Sequence, residues 1–299
     1  MMRFSKQKEI SGHAAGIYSL AFDGEFLYSA SADHYVARWN LETGLQDKFA
    51  IRFDSPVYTI TLINNNQFLV AALANGNMHV FDLSERKEIK FFTQHKVAVF
   101  AIKENKVKGQ LYVSDADGNL SVWDTSTFEL LIYLPLDCGK IRRISVDPNG
   151  DLFAICAQDG TLRIFDTSFF NEIHSIKAHE GGTTSALFHP HQKDLIFSGG
   201  KDAFLRLWNY KTGQLISSVP AHNFVIYDLI ELNNGRTLMS SSRDKTIKIF
   251  DLESMSFLQR LDVKEGGHRH SVNSLLKMSE NTFASASDDK RMIIWEEIV

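Results

Sequence analysis

The sequence predicts an all-β fold in which one four-stranded antiparallel sheet is repeated seven times around a ring. An aromatic residue closes each of seven short apolar runs, and these residues follow one another at intervals of 42 to 45 residues. They are Trp39, Phe81, Trp123, Phe165, Trp208, Phe250 and Trp295. An aspartate or asparagine stands six residues before each of them, at Asp33, Asn75, Asp117, Asp159, Asp202, Asp244 and Asp289. No window has the periodicity of a long amphipathic helix.

Each repeat has room for four short strands. In the first repeat the strands are predicted at residues 17–22, 26–30 and 36–39 and around 47–51, where Val, Ile, Leu, Phe and Ser are frequent. The pairs Asn75-Gly76, Asp117-Gly118 and Asp159-Gly160 indicate hairpins with tight two-residue turns. A single small sheet cannot bury both faces, whereas seven sheets stacked radially cover one another. The sequence therefore predicts a seven-bladed β-propeller.

The two ends of the chain are predicted to meet in the last blade. Only four residues follow Trp295, too few for a fourth strand. Residues 3–10 precede His13 as residues 215–219 precede His222, so they match the outer strand of a blade. We therefore expect this N-terminal segment to complete the last blade and to close a single domain over residues 1–299, with seven repeats of about 42 residues.

The composition limits the partners that this chain can bind through its overall charge. It has 32 Lys+Arg against 36 Asp+Glu, a net charge of −4, so there is no basic excess for nucleic acid or a membrane surface. No apolar stretch approaches the ~18 residues of a membrane span. There are two cysteines, and the N-terminus lacks a secretory apolar run. We expect no membrane insertion and a cytoplasmic location.

The repeats resemble those of WD40 β-propellers over essentially the whole chain. The motif residues are Gly12-His13, Ser29 to Asp33 and Trp39 in the first repeat, and Gly267-His268, Ser285 to Asp289 and Trp295 in the last. A literal Trp-Asp pair occurs at Trp123-Asp124. The histidine position of the family is occupied by His13, Phe53, His95, Asp137, His179, His222 and His268 in turn.

The resemblance implies a hydrogen-bonded tetrad of His, strand Ser or Thr, turn Asp and Trp within a blade. A carboxylate can accept from the imidazole N–H, and a hydroxyl, from Ser29 or Ser31 in blade 1, can accept from the indole N–H. Complete tetrads are expected only in blades 1, 5 and 7, with His13, Asp33 and Trp39, His179, Asp202 and Trp208, and His268, Asp289 and Trp295. Blades 2 and 4 are expected to rely on apolar packing alone.

The resemblance also implies that partners bind the narrow face around the channel. The residues involved would be those three and five positions beyond the histidine position and the one before the turn Asp. Candidate partner-binding residues are Tyr18, Tyr58, Phe100, Lys140, Arg142, Lys201, Tyr227 and Arg243. Aromatic residues and arginine are enriched at binding hot spots. Alternatively, these aromatic residues only pack at the channel mouth. Four extra residues near 263–267 enter the same face, as a contact loop or as a tolerated insertion.

No motif for catalysis or for a cofactor stands out. His189-Pro-His191 and His268-Arg-His270 suggest a metal site, but His268 already belongs to the repeat and the first pair lies in a turn, so structural roles are favoured. Cys138 and Cys156 have no adjacent histidine and are expected to be small buried residues.

The sequence thus predicts a non-catalytic scaffold, a monomeric propeller within a larger complex that binds a protein or peptide with an acidic surface. Two alternatives remain. One is a reader of modified or acidic peptides, with an aromatic cage for methyl-lysine or with Lys140, Arg142, Lys201 and Arg243 binding anions. The other is a metal-dependent hydrolase with its site in the channel, as the resemblance to other propellers implies.

Overall fold

Seven four-stranded antiparallel sheets surround a central channel in the computed structural model, which describes residues 3–298. The predicted seven-bladed propeller is confirmed. In every blade the first strand after the repeat histidine position is innermost, and it contacts the innermost strands of both neighbouring blades. These seven inner strands form the wall of the channel.

The first strand of the chain, β1 (Arg3–Ser11), belongs to the last blade. Blade 1 comprises β2 (Ile17–Phe22), β3 (Phe26–Ser31), β4 (Tyr35–Asn40) and β5 (Gln46–Arg52). Blade 2 comprises β6 (Val57–Ile63), β7 (Phe68–Leu73), β8 (Met78–Asp82) and β9 (Lys87–Phe92). Blade 3 comprises β10 (Val99–Asn105), β11 (Gln110–Asp115), β12 (Asn119–Asp124) and β13 (Leu130–Pro135).

The remaining four blades repeat this order. Blade 4 comprises β14 (Ile141–Val146), β15 (Leu152–Ala157), β16 (Thr161–Asp166) and β17 (Glu172–Lys177). Blade 5 comprises β18 (Thr183–Phe188), β19 (Leu195–Gly200), β20 (Phe204–Asn209) and β21 (Gln214–Pro220). Blade 6 comprises β22 (Ile226–Leu232), β23 (Thr237–Ser242), β24 (Ile247–Asp251) and β25 (Phe257–Leu261). Blade 7 comprises β26 (Val272–Lys277), β27 (Thr282–Ser287), β28 (Arg291–Ile298) and β1.

The predicted hairpins join the second and third strands of each blade, but their loops hold three or four residues instead of two. The loops are longer because the turn carboxylate itself accepts a backbone N–H, as Asp159 does from Thr161 at 2.8 Å. The residue after the turn Asp or Asn has a left-handed backbone conformation, with a positive φ, in every blade. At Gly160, with φ +90°, a Cβ would also lie 2.2 Å from the carbonyl oxygen of His179. Glycine is therefore required there for two reasons.

The hydrophobic core is divided into seven clusters, one in each gap between adjacent blades. Between blades 1 and 2, for example, Tyr28 and Val36 pack with Val57 and Leu69. Each sheet thus buries apolar side chains on both faces, which a single sheet in water cannot do.

The ring is closed as predicted, by pairing of β1 with β28 along almost its whole length. Phe4 and Ile10 on β1 are 2% and 1% exposed, and the Phe4 ring packs edge-on against Phe283, with centroids 5.6 Å apart. The extra residues near 263–267 form a short 3₁₀ helix, Val263–Glu265. This helix lies next to Lys6 of β1, at the outer edge of the propeller and away from the residues that line the channel mouth.

Candidate functional site

The predicted tetrad side chains of blades 1, 5 and 7 lie in contact. In blade 1, Trp39 Nε1 donates to Ser29 Oγ at 2.7 Å, His13 Nε2 lies 2.7 Å from the same oxygen, and His13 Nδ1 lies 2.8 Å from Asp33. Ser29, and not Ser31, supplies the hydroxyl. The corresponding contacts in the other two blades join His179, Ser198, Asp202 and Trp208, and His268, Ser285, Asp289 and Trp295. The chain of donors places the imidazole proton on Nδ1, facing the carboxylate.

The expectation that only these three blades hold a complete tetrad is wrong, because blade 3 holds one as well. His95 lies 2.7 Å from Asp115 and 2.8 Å from Ser121 Oγ, which accepts from Trp123 Nε1 at 2.8 Å. The carboxylate comes from the end of β11 and not from the turn residue Asp117. The hydroxyl comes from the third strand, β12, where Ser121 is the cross-strand partner of Val113 on β11. In blade 1 the corresponding pair is Ala37 on the third strand and Ser29 on the second, and there the second strand supplies the hydroxyl.

Apolar packing alone does not hold blades 2 and 4, contrary to expectation. In blade 2, His79 lies on the third strand, with its ring 5.1 Å from that of Phe53 and its Nδ1 2.8 Å from Glu88. In blade 4, Arg163 donates to Asp159 at 2.8 Å and to the carbonyl of Leu136 at 3.1 Å. A polar side chain on the third strand thus forms hydrogen bonds in both blades that lack the histidine.

The residue at the histidine position of blade 4 does not enter the blade. Asp137 has φ +48° and is exposed, while the next residue, Cys138, is 1% exposed. Burial raises the pKa of the Cys138 thiol to about 11, so the thiol is protonated and unreactive near neutral pH. Cys156 is also buried, and burial likewise raises the pKa of its thiol.

A β-bulge interrupts the inner strand of every blade at the same place. A bulge inserts one unpaired residue and redirects its side chain. The bulged residues are Tyr18, Tyr58, Phe100, Arg142, Thr184, Tyr227 and Asn273. All seven line one cavity of about 310 Å³ at the channel mouth. They are the positions five residues beyond the repeat histidine position, and they form what we call the rim.

One side of the rim is aromatic. The Tyr18 and Tyr58 rings pack edge to face at 5.4 Å, and Tyr58 stacks on Phe100 at 5.2 Å. Tyr227 completes the aromatic lining from blade 6. Burial, together with the negative charge of Asp288, raises the pKa of Tyr18. The Tyr18 phenol therefore remains a neutral hydrogen-bonding group at physiological pH.

A basic cluster, Lys140, Arg142 and Lys201, lies beside the aromatic side. Lys140 Nζ and the Arg142 guanidinium carbon lie over the Phe100 ring, 4.5 and 5.3 Å from its centroid. Burial lowers the pKa of both groups, and the pKa of Lys140 is lowered further by the charges of Arg142 and Lys201. Arg142 lines the mouth cavity, whereas Lys140 and Lys201 are not among its lining residues. Arg243, the remaining predicted contact residue, is exposed on blade 6 and does not line the cavity either.

A salt bridge lies directly beneath the rim. Arg143 lines both the mouth cavity and the channel below it, and its guanidinium lies 2.6 Å from Asp228. Burial raises the pKa of Asp228, although the Arg143 charge and backbone N–H groups of Leu275 and Leu229 oppose this effect. Lys103 lies farther down the same channel.

The sequence predictions missed three charged residues of the channel, Arg143, Asp228 and Asp288. Arg143 and Asp228 each follow a bulged residue, and no sequence feature marks a bulge. Asp288 is the residue before the turn Asp of blade 7, the position that Lys201 and Arg243 occupy in blades 5 and 6. It accepts a hydrogen bond from Asn273 at 2.7 Å.

The histidine pair considered as a metal site is bound to the backbone. His189 Nδ1 accepts from the N–H groups of His191 and Gln192, and His191 Nε2 lies 2.8 Å from the carbonyl of Asn234. Within residues 3–298, no three or more His, Cys, Asp or Glu side chains form a group that could hold a metal ion. The same part of the chain has no helix long and apolar enough to span a membrane.

The chain is similar to a known repeat family and to several known proteins. A family profile described as "WD domain, G-beta repeat" matches residues 4–40, 134–166, 170–209, 213–251 and 258–296, which is more than half of the chain. The U3 small nucleolar RNA-associated protein 15 homolog of Gallus gallus is 28% identical over 232 residues, 76% of this chain and 43% of the relative. WD repeat-containing protein 37 of Homo sapiens is 25% identical over 259 residues, 83% of this chain and 50% of that protein.

A third relative is matched over almost the whole chain. Autophagy-related protein 16 of Arabidopsis thaliana is 22% identical over 298 residues, 96% of this chain and 48% of that protein. The chain therefore spans about half the length of the relatives it matches. Two of these names point to different associations, one with a small nucleolar RNA and one with autophagy, and the third states only the WD repeat.

Proposed function

The chain belongs to the WD40 repeat family, and on that basis we propose that it is a non-catalytic scaffold that binds a protein partner at the channel mouth. The observation that carries this proposal is the convergence of seven bulged residues, from seven separate repeats, on one cavity. Bulges interrupt strand pairing, and they occur often next to functional sites. The alternative, in which the aromatic residues only pack together, does not account for the half-buried Lys140 and Arg142 beside them.

The partner surface that fits this face is acidic. Lys140, Arg142 and Lys201 stand together, and among residues 3–298 a single acidic residue, Asp288, lines the mouth cavity, so the positive charge is in excess there. An aromatic cage for methyl-lysine is disfavoured, because Lys140 and Arg142 already lie over Phe100 and would repel a second cation. Complementary charge of this kind favours fast and selective association.

Catalysis has no comparable support. The buried histidine and serine side chains recur in blade after blade, bonded to each other and to a carboxylate, as expected for groups that hold strands together. We propose that a channel hydrolase is not the function. The location in the cytoplasm stays a prediction, because one relative is named for a small nucleolar RNA. The net charge of −4 favours a protein and not RNA as the direct partner.

The proposal is tested by partner recovery. Tyr58→Ala combined with Arg142→Ala should change the free energy of unfolding by no more than about 1 kcal/mol, since both side chains are only half-buried at the rim. The same change should weaken partner binding by ~2 kcal/mol or more if the two residues are hot spots. The measurement is quantitative pull-down from cells of the source organism, followed by binding of the purified partner at two salt concentrations.

A matched double variant distinguishes the channel mouth from the blade edges. Phe169, 78% exposed, and Arg52, exposed at the end of β5, supply an aromatic and an arginine outside the channel. Phe169→Ala with Arg52→Ala should leave partner recovery unchanged. Undiminished recovery by the folded rim variant would refute the proposal, and loss with the control variant instead would move the site to the blade edges.

A further inference from the structure

The basic cluster at the channel mouth has no paired carboxylate among the residues that the structure describes. Within residues 3–298, no carboxylate forms an ion pair with Lys140, Arg142 or Lys201, although the neighbouring Arg143 is paired with Asp228. Two of the three cations share one aromatic ring, Phe100. Like charges held close together and partly removed from water destabilise each other. A bound anion would remove that repulsion; Asp288 of blade 7 also lines the cavity, but it forms no ion pair with these three cations.

The shape of the site limits the size of this anion. The mouth cavity is about 310 Å³, and Arg143, which lines both this cavity and the channel beneath it, is paired with Asp228 of the channel. A cavity of this size accepts a side chain or a short chain segment. Its wall beside the cations consists of the stacked Tyr58 and Phe100 rings, which can pack against the methylene groups of an inserted side chain.

We propose that the mouth is a binding site for a single anionic group, a carboxylate or a phosphate, on a side chain of a linear peptide of the partner. Arg142 is the central contact, because it is the bulged residue of blade 4 and, of the three cations, the one that lines the mouth cavity. Lys140 and Lys201 bind the same group from the loops above blades 4 and 5. This inference rests on the proposed function, and it names the chemistry by which the partner is recognised.

The test uses three terminally blocked peptides with one Gly/Ser scaffold and a single central residue, Glu, phosphoserine or Gln. Binding is measured by fluorescence anisotropy up to millimolar protein, at low and high salt. The Glu or the phosphoserine peptide should bind at least about tenfold more tightly than the Gln peptide, as expected for a charge-assisted contact, and more weakly at high salt. Similar affinities for Glu and phosphoserine identify a carboxylate site, and a marked preference for phosphoserine identifies a phosphate site.

Three variants locate the site. Arg142→Gln and Lys140→Gln should each reduce the discrimination between anionic and neutral peptides, and together they should abolish it. Arg52→Gln removes the same charge from the outer strand β5 and should leave the discrimination intact. Circular dichroism confirms that each variant is folded.

Two results would overturn the inference. The first is equal binding of the three peptides, and the second is discrimination that survives the Arg142→Gln, Lys140→Gln double variant. Either result, combined with partner recovery that still depends on Tyr58 and Arg142, would refute the anion site and leave the proposed function standing. Partner recovery that is independent of the rim, with peptide discrimination intact, would refute the proposed function alone.

Discussion

At the scale of one residue, His179 shows which hydrogen bonds hold the strands of a blade together. Its side chain is fully buried, with Nδ1 2.8 Å from Asp202 and Nε2 2.7 Å from Ser198 Oγ. Ser198 in turn accepts from Trp208 Nε1 at 2.9 Å. A group that satisfies several buried partners is expensive to remove, because each partner is then left without its hydrogen bond.

His179→Ala should therefore lower the free energy of unfolding by roughly 1 to 3 kcal/mol. Asp137→Ala, at the corresponding position of blade 4, should lower it less, since Asp137 is exposed and Cys138 occupies the interior. Asp137→Asn is the matched control, because asparagine tolerates the left-handed backbone at φ +48° as aspartate does. Denaturant titration of the three variants measures the order, and a larger effect at Asp137 would contradict this account.

The same residues make stability depend on pH. Burial lowers the pKa of His179 and His222 in the folded protein, and the neighbouring carboxylates only partly oppose it. Burial alone would raise the pKa of Asp202, but hydrogen bonds from His179 and Arg206 hold it far below its usual range. In both kinds of group the folded state binds protons less readily than the unfolded chain does.

Stability should therefore fall as the pH drops below about 6.5, the ordinary histidine pKa, and fall again below about 4, where unfolded carboxylates bind protons. The slope approaches about 1.4 kcal/mol per pH unit for each additional proton bound by the unfolded state. Chemical denaturation between pH 8 and pH 5 measures the first phase. The His222→Asn variant should have a shallower slope in that range, and equal slopes would show that His222 does not contribute.

At the scale of a secondary-structure element, blade 3 shows that the tetrad hydroxyl can come from the third strand instead of the second. Val113 and Ser121 are cross-strand partners, as Ser29 and Ala37 are in blade 1. A hydroxyl on either strand of such a pair therefore reaches the same point between the histidine and the tryptophan. This equivalence explains why the sequence pattern, which looks for serine on the second strand, missed the tetrad of blade 3.

Ser121→Ala should cost roughly 1 to 3 kcal/mol, because His95 and Trp123 both lose a buried partner. Val113→Ser alone should also be destabilising, since Val113 is completely buried. The double variant recreates the arrangement of blade 1, so its loss should be smaller than the sum of the two single losses by about 1 kcal/mol or more. Unfolding measurements on the four proteins give this coupling, and strictly additive losses would disprove the exchange.

Much of the molecule follows from the spacing of the repeats. Radial stacking places equivalent positions of successive repeats next to each other, so the order of the strands, the closure of the ring and the residues of the rim are all predictable from register. Tyr18 and Asn273 stand far apart in sequence and yet line the same cavity for this reason. The local departures are not predictable, because they depend on backbone geometry.

The backbone conformations at two positions are examples of features that the repeat spacing does not predict. At Asp137 a positive φ turns the expected residue outwards and puts Cys138 inside. At Arg142 a bulge brings the next residue, Arg143, into the channel as well, where it meets Asp228 of blade 6. In both cases one residue has a backbone conformation that its side chain does not specify. The side chain of the next residue then points in a direction that the repeat spacing does not predict.

At the scale of the whole molecule, β1 joins three blades. It pairs with β28 of blade 7, and the backbone of Phe4 exchanges two hydrogen bonds with Gln259 of blade 6, at 2.8 and 2.9 Å. On its other side, Lys8 Nζ donates to the carbonyl groups of Leu41 and Glu42, just after β4 of blade 1. The strand that completes the ring is thus also bonded to both neighbouring blades.

A protein that begins at Gly12 should therefore be much less stable than the full chain. It loses the burial of Phe4 and Ile10, worth ~1.5 to 3 kcal/mol each, in addition to the strand pairing. We expect the melting temperature to fall by roughly 10 °C or more. A synthetic peptide of residues 3–11 should raise it again in proportion to the logarithm of its concentration, because it binds only the folded ring. A scrambled peptide of the same composition should have no effect, and a truncated protein that melts like the full chain would show that β1 is not needed to close the ring.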